Sequence, residues 1–117
     1  VDGLWVFLGG GTGAVLRWVL AALLPAPWGT MLVNVLGSAV LAGLMHPAVG
    51  LQGSWRLALG TGLLGGFTTY STFNLDVLTA VQAGELQRAA VTAVGTLVGC
   101  LAGGAVGWWV AGWGSAR

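Results

Sequence analysis

Only seven residues of this chain carry a formal charge, Asp2, Arg17, Arg56, Asp76, Glu85, Arg88 and Arg117, and the stretches between them are long, apolar and free of lysine. Of the 117 residues, 56% are hydrophobic and 6% charged, whereas roughly a quarter of a soluble domain is charged. Such a chain has nothing with which to face water over most of its area, and a lipid bilayer is the solvent it fits. The net charge of +1, with no basic cluster, excludes a nucleic-acid surface, because no group of cations is present to neutralise phosphates.

The chain divides at its prolines and charged positions into four predicted spans, about 4–24, 28–45, 57–81 and 86–111, each near the ~20 residues that cross a bilayer as a helix. Leu4 to Leu24 lacks a basic leader and is too long for a signal-peptide core, so it reads as a retained span. Together the four predict one all-α transmembrane domain over residues 1–117, without a soluble domain. The third segment is unusual. Gly65-Gly66-Phe67-Thr68-Thr69-Tyr70-Ser71-Thr72-Phe73 is a poor helix former, each glycine costing about 1 kcal/mol against alanine. An interruption at membrane depth is tolerated where it is buried in protein or lines a watery cavity. The stretch is therefore either a functional break near the middle of the third helix or a kink.

Gly95, Gly99, Gly103 and Gly107 recur every fourth residue, and Gly9/Gly13 and Gly62/Gly66 share that spacing. Such stripes let helix backbones approach closely, within one chain or across a dimer. Four spans put Arg56 and Arg117 on one side and Arg88 on the other. Insertion follows the Lys/Arg bias of short loops, and a bias this small permits either orientation.

Polar residues inside a membrane are costly and mark function. Arg17 either snorkels to the interface or faces inward as a fixed positive charge. Asn34 either joins two helices by hydrogen bonds or offers a neutral donor to a pathway. Tyr70 and Phe73 are three apart and share a face if the helix resumes; they are core packing or present positive ring edges to an anion. Ser71, Thr72, Thr92 and Thr96 add hydroxyls. With Asp76 beyond the interruption and Asp2 and Glu85 flanking spans, no carboxylate is expected in the middle of a span. Cys100 reads as a small packing residue. His46 stands beside Pro47 without an acid, nucleophile or metal cluster, so no enzyme is expected.

These residues together resemble the Fluc (CrcB) family of fluoride channels over essentially the full length. The resemblance is carried, in order, by GGGTGAVLRW, GTMLVNVLGS, GTGLLGGFTTYSTF and the Gly-rich fourth span. It implies a multi-pass protein of the cell membrane, an antiparallel dual-topology homodimer that lets fluoride leave the cell passively. It implies a structural sodium ion at the dimer centre, held by the backbone carbonyls of Gly65 and Thr68 from both copies. By motif position, Asn34, Tyr70, Phe73 and Arg17 match the pore asparagine, the two aromatics of the Phe box and the first-span arginine. Ser71, Thr72 and Thr96 complete the implied fluoride pathway. Tyr70 departs from the family's usual Phe, and the fourth span lacks the usual polar Tyr or Ser. The rival reading is a small multidrug-type four-helix exporter, which needs a glutamate in the first span, where this chain has Arg17. An accessory subunit with no transport of its own is a third.

Overall fold

The computed structural model describes residues 1–115, which are largely helical and contain no strand; Arg117, used above to count charge by side, lies outside the described residues. Helix α1 spans Asp2–Ala21. It stops short of the expected Leu24, because the residue before Pro25 is biased away from helical geometry and the chain closes with a tight turn, Leu23 N–H to Leu20 O at 3.1 Å. Helix α2 spans Trp28–Met45, bounded by Pro27 and by His46, which is extended (ψ 133°) before Pro47. A short 3-10 turn over Pro47–Val49 follows.

The third crossing is assembled from pieces. Helix α3 begins as Gly53–Arg56, winds as a π-helix over Leu57–Leu64, and returns to α geometry over Gly65–Phe67. Thr68 and Thr69 are then extended, with ψ of 153° and 118°. Helix α4 restarts at Tyr70 and runs over Tyr70–Gln82. It ends in a Schellman motif: Gly84 sits at φ 77°, with Gly84 N–H to Val81 O at 3.0 Å and Glu85 N–H to Ala80 O at 2.9 Å. Both bonds satisfy carbonyls that a helix end leaves open. Helix α5 spans Leu86–Ser115 and passes the expected end at Ala111, since neither proline nor charge intervenes.

Helices α1, α2 and α5 are each long and apolar enough to cross a membrane, and the α3–α4 pair completes the bundle. Two contacts fix which ends meet. Arg88 donates to Ala26 O at 2.9 Å and pairs with Glu85 at 3.0 Å, so the α1–α2 and α4–α5 turns share one end. At the other end the His46 ring lies edge-on to Trp108 with centroids 4.5 Å apart.

The glycine stripes meet within one chain. A Cβ on Gly13 would collide with the Leu63 carbonyl, and one on Gly66 with the Gly10 carbonyl, so α1 and α3 pack backbone to backbone. On the fourth-span stripe, a Cβ on Gly103 would stand 3.1 Å from Val35 O and one on Gly107 would collide with the Ala39 carbonyl. These contacts bring α5 down on α2. Between them Val33, Leu64 and Phe67 form the buried apolar centre, flanked by Leu20, Ala21, Leu41, Leu44 and Leu63. The apolar centre thus lies against the interruption.

Candidate functional site: an interruption between two cavities

The interruption is held open by one side chain. Asn34, buried at 7% exposure, donates from Nδ2 to Thr69 O at 2.9 Å and accepts from Thr69 N–H at Oδ1 at 2.8 Å. In an unbroken helix that Thr69 N–H would point to the Gly65 carbonyl; here it is diverted to Asn34, and the Gly65 carbonyl loses its helical donor. The upstream turn remains closed, since the Thr68 N–H and hydroxyl both reach Leu64 O, at 3.1 and 3.0 Å. Downstream, Thr69 caps α4: its Oγ1 accepts the Thr72 N–H at 3.3 Å and meets the hydroxyls of Ser71 and Thr72 at 3.2 Å each. A helix N-terminus carries partial positive charge and a C-terminus partial negative charge. The gap therefore sets the carbonyl end of α3 beside the amide end of α4.

Two cavities flank the gap and share Thr69. The first, of about 610 Å³, is lined by Asn34, Tyr70, Phe73 and Thr96, and also by Ser38, Asn74 and Cys100. It carries no charged residue in its wall. Tyr70 and Phe73 meet edge to face there, with ring centroids 5.5 Å apart and planes at 63°. Thr96 is 6% exposed and its Oγ1 has no hydrogen-bond partner among the described residues. The second cavity, of about 390 Å³, is lined by Arg17, Thr30, Thr69 and Thr72 among apolar neighbours. Arg17 turns inward, its Nη1 donating to Thr68 O at 3.3 Å.

The predicted residues thus fall into two groups. Asn34, Tyr70, Phe73 and Thr96 share the neutral cavity, Arg17 and Thr72 the cationic one, while Ser71 lines neither. Asp76 lies beyond the interruption, within α4 and half-buried, with Oδ2 unpartnered among the described residues. Cys100, read from the sequence as packing, is a cavity-wall residue. Sequence reasoning passed over Ser38 and Asn74. The signal was there, because each lies one helical turn beyond a residue it had singled out, Asn34 and Tyr70.

A bundle of apolar crossings, with a polar gap in one of them and cavities on both sides of it, defines a multi-pass membrane protein. Within that class the chain belongs to the CrcB-like family: the pattern described as "CrcB-like protein, Camphor Resistance (CrcB)" matches residues 4–108. Three relatives named "Fluoride-specific ion channel FluC" show how close the similarity is. The chain is 45% identical over 107 residues to that of Anaeromyxobacter sp. (strain K), covering 84% of this chain and 85% of the relative. To that of Burkholderia vietnamiensis it is 42% identical over 114 residues, covering 91% and 89%. To that of Erwinia tasmaniensis it is 38% identical over 115 residues, covering 90% of each.

Proposed function

We propose that this protein is a fluoride channel, passing the ion down its electrochemical gradient and out of the cell. The observation that carries the reading is the neutral cavity beside the interruption, whose wall Asn34, Tyr70, Phe73 and Thr96 share without any charged residue. The names of the relatives point the same way. Fluoride sheds water in steps, exchanging it for neutral donors and ring edges. Asn34 spends one Nδ2–H on Thr69, and an amide nitrogen carries two, so a donor remains for the ion. Conduction needs binding firm enough to admit an ion and weak enough to release it, a requirement that neutral donors suit.

The proposal includes an antiparallel pairing of two copies, supported by the near balance of Arg56 and Arg88 on opposite ends. It also includes a sodium ion held by the Gly65 and Thr68 carbonyls of both. These oxygens fit a hard cation: Gly65 has lost its helical donor, and Thr68 O accepts from Arg17 alone among the described residues, which leaves a second lone pair. Bound there, sodium offsets the stranded carbonyls and adds positive potential near the pathway. The decisive experiment is efflux from reconstituted liposomes, read with a fluoride electrode and repeated with chloride. Fluoride release at a rate far above chloride is expected; no release, or equal release, ends the reading.

A further inference from the structure

We propose that fluoride travels lengthwise through the neutral cavity, and that Ser38 and Asn74 bind it one step to either side of the interruption. The inference rests on the fluoride-channel reading and extends it to two residues that reading leaves idle. Both line the cavity with Asn34, Tyr70 and Phe73. Chain direction fixes where along it they stand. The α1–α2 and α4–α5 turns meet at one end of the bundle, where Arg88 donates to Ala26 O at 2.9 Å. Helix α2 leaves that end and α4 returns to it, so the two run in opposite directions. The hydrogen bonds between Asn34 and Thr69 set the level at which they meet. Ser38 follows Asn34 by four residues and Asn74 follows Tyr70 by four, each on the helix face of the residue before it. Four residues at about 1.5 Å each make a step of roughly 6 Å. Ser38 therefore lies one step from the gap toward the His46–Trp108 end, and Asn74 one step toward the Arg88 end.

Donors are open at both positions. A serine or threonine inside a helix often returns its hydroxyl proton to the carbonyl four residues back. Thr12, Thr68 and Thr92 do so, at 2.8, 3.0 and 2.8 Å. Ser38 does not; its hydroxyl has no partner among the described residues and, unlike that of Thr96, is not sealed from the cavity. Asn74 is exposed, and its amide is likewise unpaired among the described residues. A hydroxyl brings one donor and a carboxamide two. The wall thus offers open donors at three successive levels: Asn74, the remaining N–H of Asn34, and Ser38. All three are neutral. Conduction needs neighbouring sites, each shallow enough for the ion to leave, and a row of uncharged donors supplies them.

The test is fluoride efflux from liposomes holding the full chain, with assembly of every variant checked by size exclusion. Ser38→Ala and Asn74→Ala should assemble as wild type does and lower flux at least tenfold. Ser38→Thr and Asn74→Gln keep a donor and should stay within about threefold of wild type. Asn74→Asp, nearly the same shape, sets a negative charge on the wall and should conduct less than Asn74→Ala, an ordering that a packing role would not produce. Should Ser38→Ala fail to assemble, Ser38→Cys, a weak donor, replaces it with the same expectation. Wild-type flux in either alanine variant overturns the assignment of that residue. So does an equal loss in its donor-keeping counterpart, or an Asn74→Asp variant that conducts as wild type does. Wild-type vesicles that pass no fluoride sink the channel reading and this inference with it, whereas undiminished flux in both alanine variants sinks this inference alone.

Discussion

Asn34→Leu is the substitution that tests the architecture most directly. The asparagine makes two hydrogen bonds to one buried residue, 2.9 Å to Thr69 O and 2.8 Å from Thr69 N–H, and Thr69 is itself buried at 9% exposure. Leucine keeps nearly the same volume and removes both partners. A buried donor or acceptor left unsatisfied costs about 1–3 kcal/mol, so the pair predicts a loss on the order of 2–6 kcal/mol. Partial recovery is open to the chain in one way only: Thr68 and Thr69 turn helical and the Thr69 N–H returns to the Gly65 carbonyl. That recovery closes the gap. Both outcomes abolish fluoride flux, and they differ in stability, so unfolding in mixed detergent micelles and liposome efflux should be measured together. Asn34→Asp separates the two bonds, since it keeps the acceptor for Thr69 N–H and loses the donor to Thr69 O. A leucine variant within about 0.5 kcal/mol of wild type, the range of inconsequential surface changes, and conducting normally would refute the clamp.

The remaining predictions concern packing, the rings and the ion. Gly107→Ala drives a Cβ into the Ala39 carbonyl, and overpacking of this kind costs about 1–3 kcal/mol; loss of folded protein on size-exclusion is expected. Gly104→Ala, whose Cβ would meet Ser38 O at 3.8 Å, should be tolerated, and equal behaviour of the two would contradict the α2–α5 contact. Phe73→Ile removes the ring that meets Tyr70 edge-on and should suppress fluoride efflux while assembly persists; wild-type flux would remove the ring-edge argument. Replacing sodium on both sides of the membrane by a bulky organic cation should stop conduction, and undiminished efflux would count against a structural ion at Gly65 and Thr68.

The sequence was most legible where one residue type settles the local geometry. Pro25, Pro27 and Pro47 bound α1 and α2, and the glycine and β-branched run from Gly65 to Phe73 contains the extended pair Thr68 and Thr69. It was least legible where a partner decides. Spacing alone left the glycine stripes without a mate; the carbonyls of Leu63 and Ala39 supply it within the chain. The π-helical winding over Leu57–Leu64 has no one-dimensional signature, for Gly60 and Gly62 permit it without requiring it. For Asn34 the sequence leaves open an ion donor or a hydrogen-bonded tie between helices; the structure shows a tie, made by its oxygen and one amide hydrogen to the backbone of Thr69. Ser38, Asn74 and Cys100 entered the site because helical periodicity carries a cavity wall one turn past each residue that chemistry had marked.

The position of Arg17 follows from the same economy of charge. An anion in contact with a guanidinium, about 4 Å away at an effective dielectric of 20, is held by ~4 kcal/mol before any hydrogen bond is counted. Moved to about 10 Å, the same charge attracts by ~2 kcal/mol, enough to raise the local anion concentration without immobilising the ion. In this fold the guanidinium is engaged by Thr68 O and lines the cavity that holds Thr72, while Asn34, Tyr70, Phe73 and Thr96 line the other. On the channel reading proposed above, the neutral wall handles the ion at close range and the fixed charge acts through the field across the interruption. Arg17→Met should accordingly lower flux with a dependence on ionic strength, because a charge acting at a distance is screened by salt. A loss of flux independent of salt would instead assign Arg17 to holding the Thr68 carbonyl in place.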